Sequence, residues 1–174
     1  MNYHFSVCAT ANYQEKYIEF LLQNYELLKL GYSFPVSLSY LSSPIFMERE
    51  AILVLDDEQN VIGAVGYIHG TGEQHYEDIH IVQIQVLFLL EKYRRSRLFL
   101  QVLQFLAQHL AQLKEPPLEL RFWATDRTGL EKISARFAMK MSATHTDYGI
   151  NTQYQADFKS FYAFAMAYPH ERYY

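Results

Sequence analysis

Residues 87–113 read LFLLEKYRRSRLFLQVLQFLAQHLAQL: an apolar run, a basic cluster, then a helical pattern almost free of charge. A strand that enters a helix through a short turn aims main-chain N–H groups and the positive end of the helix dipole at one place, where an anion is favoured. Arg94, Arg95 and Arg97 surround that place, and the glycines that usually let such a turn close on a pyrophosphate are missing. Upstream, the strand pattern reaches back to Ile79. One face carries His80, Val82, Ile84, Val86, Phe88 and Leu90 and reads as core; the other carries Gln83 and Gln85. A buried amide without partners costs roughly 1–3 kcal/mol, so the two glutamines are expected to border water or a ligand. Downstream, Gln101, Gln104, Gln108 and Gln112 form a narrow polar stripe on a helix that is otherwise apolar and must be covered over most of its girth.

The surroundings of this stretch bound the reading. A chain of 174 residues suits one domain with a substantial core and no need of disulfides. Half of its residues are hydrophobic and its formal net charge is −4, which describes a globular protein and argues against general affinity for nucleic acid. Cys8 is the single cysteine, and no signal-type apolar segment opens the sequence, so the expectation is a reducing, cytoplasmic setting. The uncharged runs Ile79–Leu90 and Leu98–Leu113 fall short of the ~20 residues of a membrane span, and none is expected. His69, His75 and His80 match no compact ligand spacing, so no metal is expected either.

Towards the N-terminus, His4–Thr10 reads as a strand. Asn12 is placed to cap a helix with Glu15 three residues on, the helix running to Leu30 before Gly31. Residues 37–46 read as a short helix or loop with Pro35 and Pro44 as punctuation. Ala51–Leu55 and Val61–Ile68 flank the polar DDEQN and read as a β-hairpin. After Pro116 and Pro117 come a strand over Leu118–Ala124, a short helix over 128–138, and an aromatic-rich tail with a strand near Thr152–Ser160. That tail suits core, a pocket wall or a subunit contact, so a homodimer is one expectation.

The order of these elements, with AILVLDDEQNVIGAVGY as hairpin, LLEKYRRSRLFLQVLQFL as strand, loop and helix, and LELRFWATDRTGLEKISARFAMK after it, resembles the GNAT superfamily of N-acetyltransferases along nearly the whole chain. The resemblance implies one α/β (α+β) domain over residues 1–174, with a mixed central sheet of about six to seven strands flanked by helices. It implies acetyl-CoA as co-substrate, an amine acceptor, no metal, and direct attack of the amine on the thioester. On this pattern the coenzyme pyrophosphate meets Arg94, Arg95, Ser96, Arg97, Leu98 and Phe99, with Arg97 and Phe99 standing where the family has small residues. Main-chain N–H groups near Leu87 and Leu89 face the thioester, and Asp126 holds the position of a coenzyme-arm contact. Gln83 and Gln85 contact substrate. Ser134 falls near the position of the family's acidic tyrosine, and Glu77 and His80 are equal candidates for the proton acceptor. The rival expectation is a non-catalytic module of the same fold that binds a small ligand or a partner protein.

Overall fold

A computed structural model describes residues 2–47, 49–126 and 130–174. Among them the chain runs β1 (His4–Val7), α1 (Ala11–Gln23), α2 (Tyr25–Leu28), α3 (Phe34–Phe46), β2 (Ala51–Leu55), β3 (Val61–His69), β4 (Ile81–Leu89), α4 (Glu91–Arg94), α5 (Arg97–Ala111), β5 (Glu119–Thr125), α6 (Glu131–Ser134), β6 (Met139–Thr146), β7 (Gly149–Asp157) and α7 (Phe158–Met166). The strands form one mixed sheet in the order β1-β2-β3-β4-β5-β7-β6. Its pairing is antiparallel except between β4 and β5, where the parallel ladder covers Ile81↔Glu119, Val82↔Leu120 and Gln83↔Arg121. The chain divides into two compact units, residues 1–68 with 84–99 and residues 69–83 with 100–174.

In the first unit, α1 and α3 lay Tyr17, Phe20, Leu21 and Leu41 on the alternate residues Ala51, Leu53 and Leu55 of β2 and on Val86 and Phe88 of β4, one continuous buried cluster. The hairpin forms as its sequence predicts. Asp56 closes its loop by accepting N–H bonds from Glu58 and Asn60, at 3.0 and 2.9 Å. The expected cap of the first helix moves two residues: Thr10, not Asn12, caps α1 and accepts from Tyr13 N. A hydroxyl one position before Ala11 reaches the first-turn N–H, whereas Asn12 already lies inside the helix. Nor does that helix run to Leu30: it ends at Gln23, and α2 follows and closes on Lys29 in the left-handed region at φ 49°.

In the second unit, rings of β5, β7, α7 and the turn after α6 form the core. Phe122 stacks on Tyr154 at 5.2 Å, and Phe137 packs on Phe161 and Phe164 at 5.3 and 4.9 Å. The strand expected at Thr152–Ser160 is β7, shifted to Gly149–Asp157, because Asp157 caps α7 by accepting from Ser160 N at 3.1 Å. The short helix expected over 128–138 is α6, four residues long; the start of that expectation, at Thr128, lies outside the described residues.

Candidate functional site

The junction at the end of β4 is the anion-like feature of the sequence, and its local chemistry explains its shape. Leu90 N bonds the Ile62 carbonyl at 2.9 Å, which anchors the chain to β3 as the strand ends. A single helical turn, α4, then stands between strand and long helix where the sequence reads as a plain turn. Its Tyr93 is buried and meets Tyr3, the residue before β1, edge-on at 6.0 Å. Ser96 makes the second break: its hydroxyl donates to the Tyr93 carbonyl at 2.6 Å and accepts Leu98 N at 3.2 Å, while its carbonyl accepts Phe99 N at 3.3 Å. Ser96 therefore caps α5 and engages two of the N–H groups that would otherwise face an anion.

The arginines divide their work. Arg94 Nε donates to the Leu89 carbonyl at 2.8 Å and its guanidinium lies 4.9 Å from the Phe88 ring centre, so this side chain clasps the end of β4. Arg95 and Arg97 are exposed, and Leu98 is buried behind them. Upstream on β4, Val82, Ile84, Val86 and Phe88 are buried while Gln83, Gln85 and Leu87 are half-buried, the two faces that the alternation predicts. The strand starts at Ile81 rather than Ile79, because Gly70 N and Ile81 N already bond Ile81 O and Asp78 O in the closing loop.

That loop lies in the second unit and engages one of the glutamines. Gln83 Nε2 donates to the Gly70 carbonyl at 2.7 Å, so its half-buried amide is satisfied by main chain. Asp78 accepts from the N–H and hydroxyl of Thr71 at 2.6 and 2.7 Å; desolvation, the largest single effect, pushes its carboxyl up, but these bonds, its own N–H and the charge of His80 together outweigh it and leave the carboxyl below the usual range. Glu77 and His80 precede β4 and are exposed. His80 lines a cavity of about 380 Å³ with Glu119, Phe137, Met139, Gln155 and Asp157. Ser134 is buried on α6, and Asp126 accepts Ile150 N at 3.2 Å at the start of β7. Among the described residues, no group of three His, Cys, Asp or Glu side chains could hold a metal. No described helix is long and apolar enough to cross a membrane.

Against known proteins, no protein-family model and no curated protein sequence matches the chain. Solved structures do match, across nine-tenths of it. An acetyltransferase of the GNAT family from Staphylococcus aureus superposes with a TM-score of 0.64 at 14% identity, covering 90% of this chain and 99% of that one. The catalytic domain of a Tetrahymena histone acetyltransferase in complex with coenzyme A gives 0.59 at 11% identity, covering 90% and 92%. A NatC complex bound to Gag peptide and coenzyme A gives 0.67 at 12% identity, covering 90% and 99%.

The fold is that of the GNAT acetyltransferases. On that fold, the residues assigned by resemblance fall into both compact units. Gln85, Leu87, Leu89 and residues 94–99 lie in the first, and Glu77, His80, Gln83, Asp126 and Ser134 in the second. Sequence reasoning missed Glu50, which is buried at the start of β2 with its carboxyl pushed from 4.5 up to about 7 by burial. A charged ERE preceding an apolar strand carries no signal that its second glutamate is buried. It missed the capping role of Ser96 too, although a serine just before an apolar helical pattern is the usual cap signal.

Proposed function

We propose that this protein is an acyl-CoA-dependent N-acyltransferase that moves an acyl group, acetyl in the first instance, from the coenzyme thioester to an amine. The observation that carries the reading is the β4–α5 junction, where exposed Arg94, Arg95 and Arg97 run from the end of α4 to the first residue of the 15-residue α5, on a fold whose solved neighbours include structures with coenzyme A. Coenzyme A fits these residues if its phosphates meet guanidinium groups, since Ser96 engages the main-chain N–H groups of Leu98 and Phe99. When bound as its acyl thioester, it would supply the activated carbonyl, with the coenzyme thiolate as leaving group.

The chain's own residues then do three things. Arg95 and Arg97 draw in and hold phosphate charge. Arg94, tied to the Leu89 carbonyl, keeps the end of β4 in register, so that main-chain N–H groups at Leu87 and Leu89 are fixed in direction. Gln85 orients the amine through its amide. The amine proton passes to water, a modest base being enough when positioning provides most of the rate. Ser134 is a poor proton donor, being 3% exposed and an aliphatic hydroxyl, a weak acid. An ammonium acceptor suits the net charge of −4 better than an acidic one.

The same junction favours a second reading, a GNAT-fold binding module without catalysis, through the N–H groups that Ser96 already satisfies. Titration calorimetry with acetyl-CoA separates the two. Micromolar binding, weakened at least tenfold by Arg95→Ala with Arg97→Ala at unchanged melting temperature, is the result expected of the acyltransferase. No heat at millimolar acetyl-CoA sinks it and leaves the module.

A further inference from the structure

The middle of the glutamine stripe of α5 does not face water. Gln104 and Gln108 are 1% and 8% exposed, and both engage main chain near and beyond the end of α7. Gln104 Nε2 donates to the carbonyls of Ala165 and Pro169, at 3.1 and 3.4 Å. Gln108 Nε2 donates to the Glu171 carbonyl at 2.8 Å, and its Oε1 accepts Tyr173 N at 2.8 Å. A bond to one carbonyl and a bond from the N–H two residues on are what a neighbouring strand offers an extended peptide. The helix thus reads main chain, which every peptide carries.

Its demand on side chains is confined to one end. The Phe105 ring meets Tyr173 edge-on at 5.1 Å and Tyr174 at 6.0 Å, and His109 stacks on Phe105 within 8° of parallel. His109 Nδ1 lies 2.8 Å from the Tyr174 hydroxyl. Burial pushes the Tyr173 hydroxyl up to about 12 and that of Tyr174 up as well, so both phenols stay protonated in the site.

We propose that this face of α5 is a peptide-binding site for an extended segment with two adjacent aromatic residues, occupied here in cis by residues 167–174. The chemistry of the occupant is read from the resident. That segment has no helix or strand of its own and is held through its main chain and two tyrosine rings. A tethered occupant competes at an effective concentration of the order of millimolar, so a peptide from elsewhere enters when the resident is weakened.

The test uses the full chain carrying Tyr173→Ala and Tyr174→Ala, which leaves Gln104, Phe105, Gln108 and His109 in place. A fluorescein-labelled peptide AYPHERYY, the sequence of residues 167–174, is titrated by anisotropy, with thermal melting as the check of folding. If the double variant does not melt cooperatively, Tyr174→Ala alone replaces it. Saturable binding is expected, at least tenfold weaker to the wild-type chain, to a variant also carrying Gln108→Leu, and for the peptide AYPHERAA. A concentration-dependent dimer abolished by Gln108→Leu would name a second copy as one source of the occupant and support the site. Absence of binding at millimolar protein in a folded variant, or binding indifferent to Gln108→Leu, overturns the proposal.

Discussion

Two buried residues of the first unit set measurable energies. Tyr17 is fully buried, and its hydroxyl has no hydrogen-bond partner among the described residues. A Cβ at Gly66 would run into that hydroxyl and lie 2.7 Å from Pro44 Cγ, so glycine is required by close approach. Gly66→Ala should cost about 1–3 kcal/mol in urea unfolding with the slope unchanged. Tyr17→Phe, which deletes the unpaired hydroxyl, should be neutral or stabilising by about 1 kcal/mol and should recover part of the loss in the Gly66→Ala background.

Glu50 gives a pH dependence of definite sign. Its folded pKa, raised by burial to about 7, exceeds the ordinary 4.5, so the unfolded chain releases a proton that the folded chain keeps. The cost to stability is absent below 4.5, grows as pH rises to 7 and is complete above it, at about 3 kcal/mol. Unfolding at pH 4 and pH 8 should show that Glu50→Gln leaves the first value nearly unchanged and raises the second; parallel pH curves for both proteins would refute the account. Glu50 was not legible in the sequence, since alternation marks a face without saying which polar group must share it; Tyr17 was legible at its helical spacing, its unpaired hydroxyl was not. Gln83 was partly legible: its need of a partner was plain, but the Gly70 carbonyl that supplies one, 13 residues away, was not.

Among the elements, the hairpin and β4 were the most readable, because alternation and turn residues agree there. The two faces of β4 follow their sequence period, and Val82, Ile84, Val86 and Phe88 are buried as expected. The single-turn α4 was hidden, because its four residues Glu91–Arg94 are too few to show a period. Ser96 at its end makes a discriminating target. Ser96→Ala should destabilise the protein by about 1 kcal/mol through loss of the cap. On the acyltransferase reading it should also strengthen acetyl-CoA binding, by freeing Leu98 N for phosphate. Denaturant unfolding and calorimetry on the same variant check both; a loss of stability without a gain in affinity would mean that the arginines alone meet the anion.

Across the whole molecule, strand order was legible only through the succession of elements, since periodicity places no strand beside another. The glutamine stripe shows the same limit: its polarity was visible, its partners 61 to 65 residues downstream were not. Those separations also impose an order on biosynthesis. At about 5–20 residues per second, a ribosome makes α5 roughly 3–12 seconds before the carbonyls that its glutamines require. Until then a helix destined to be buried from Val102 to Leu110 emerges with its apolar flanks wet. Chaperone demand during translation should therefore peak in that interval, and a nascent chain arrested before Ala165 should be the form that holdases retain.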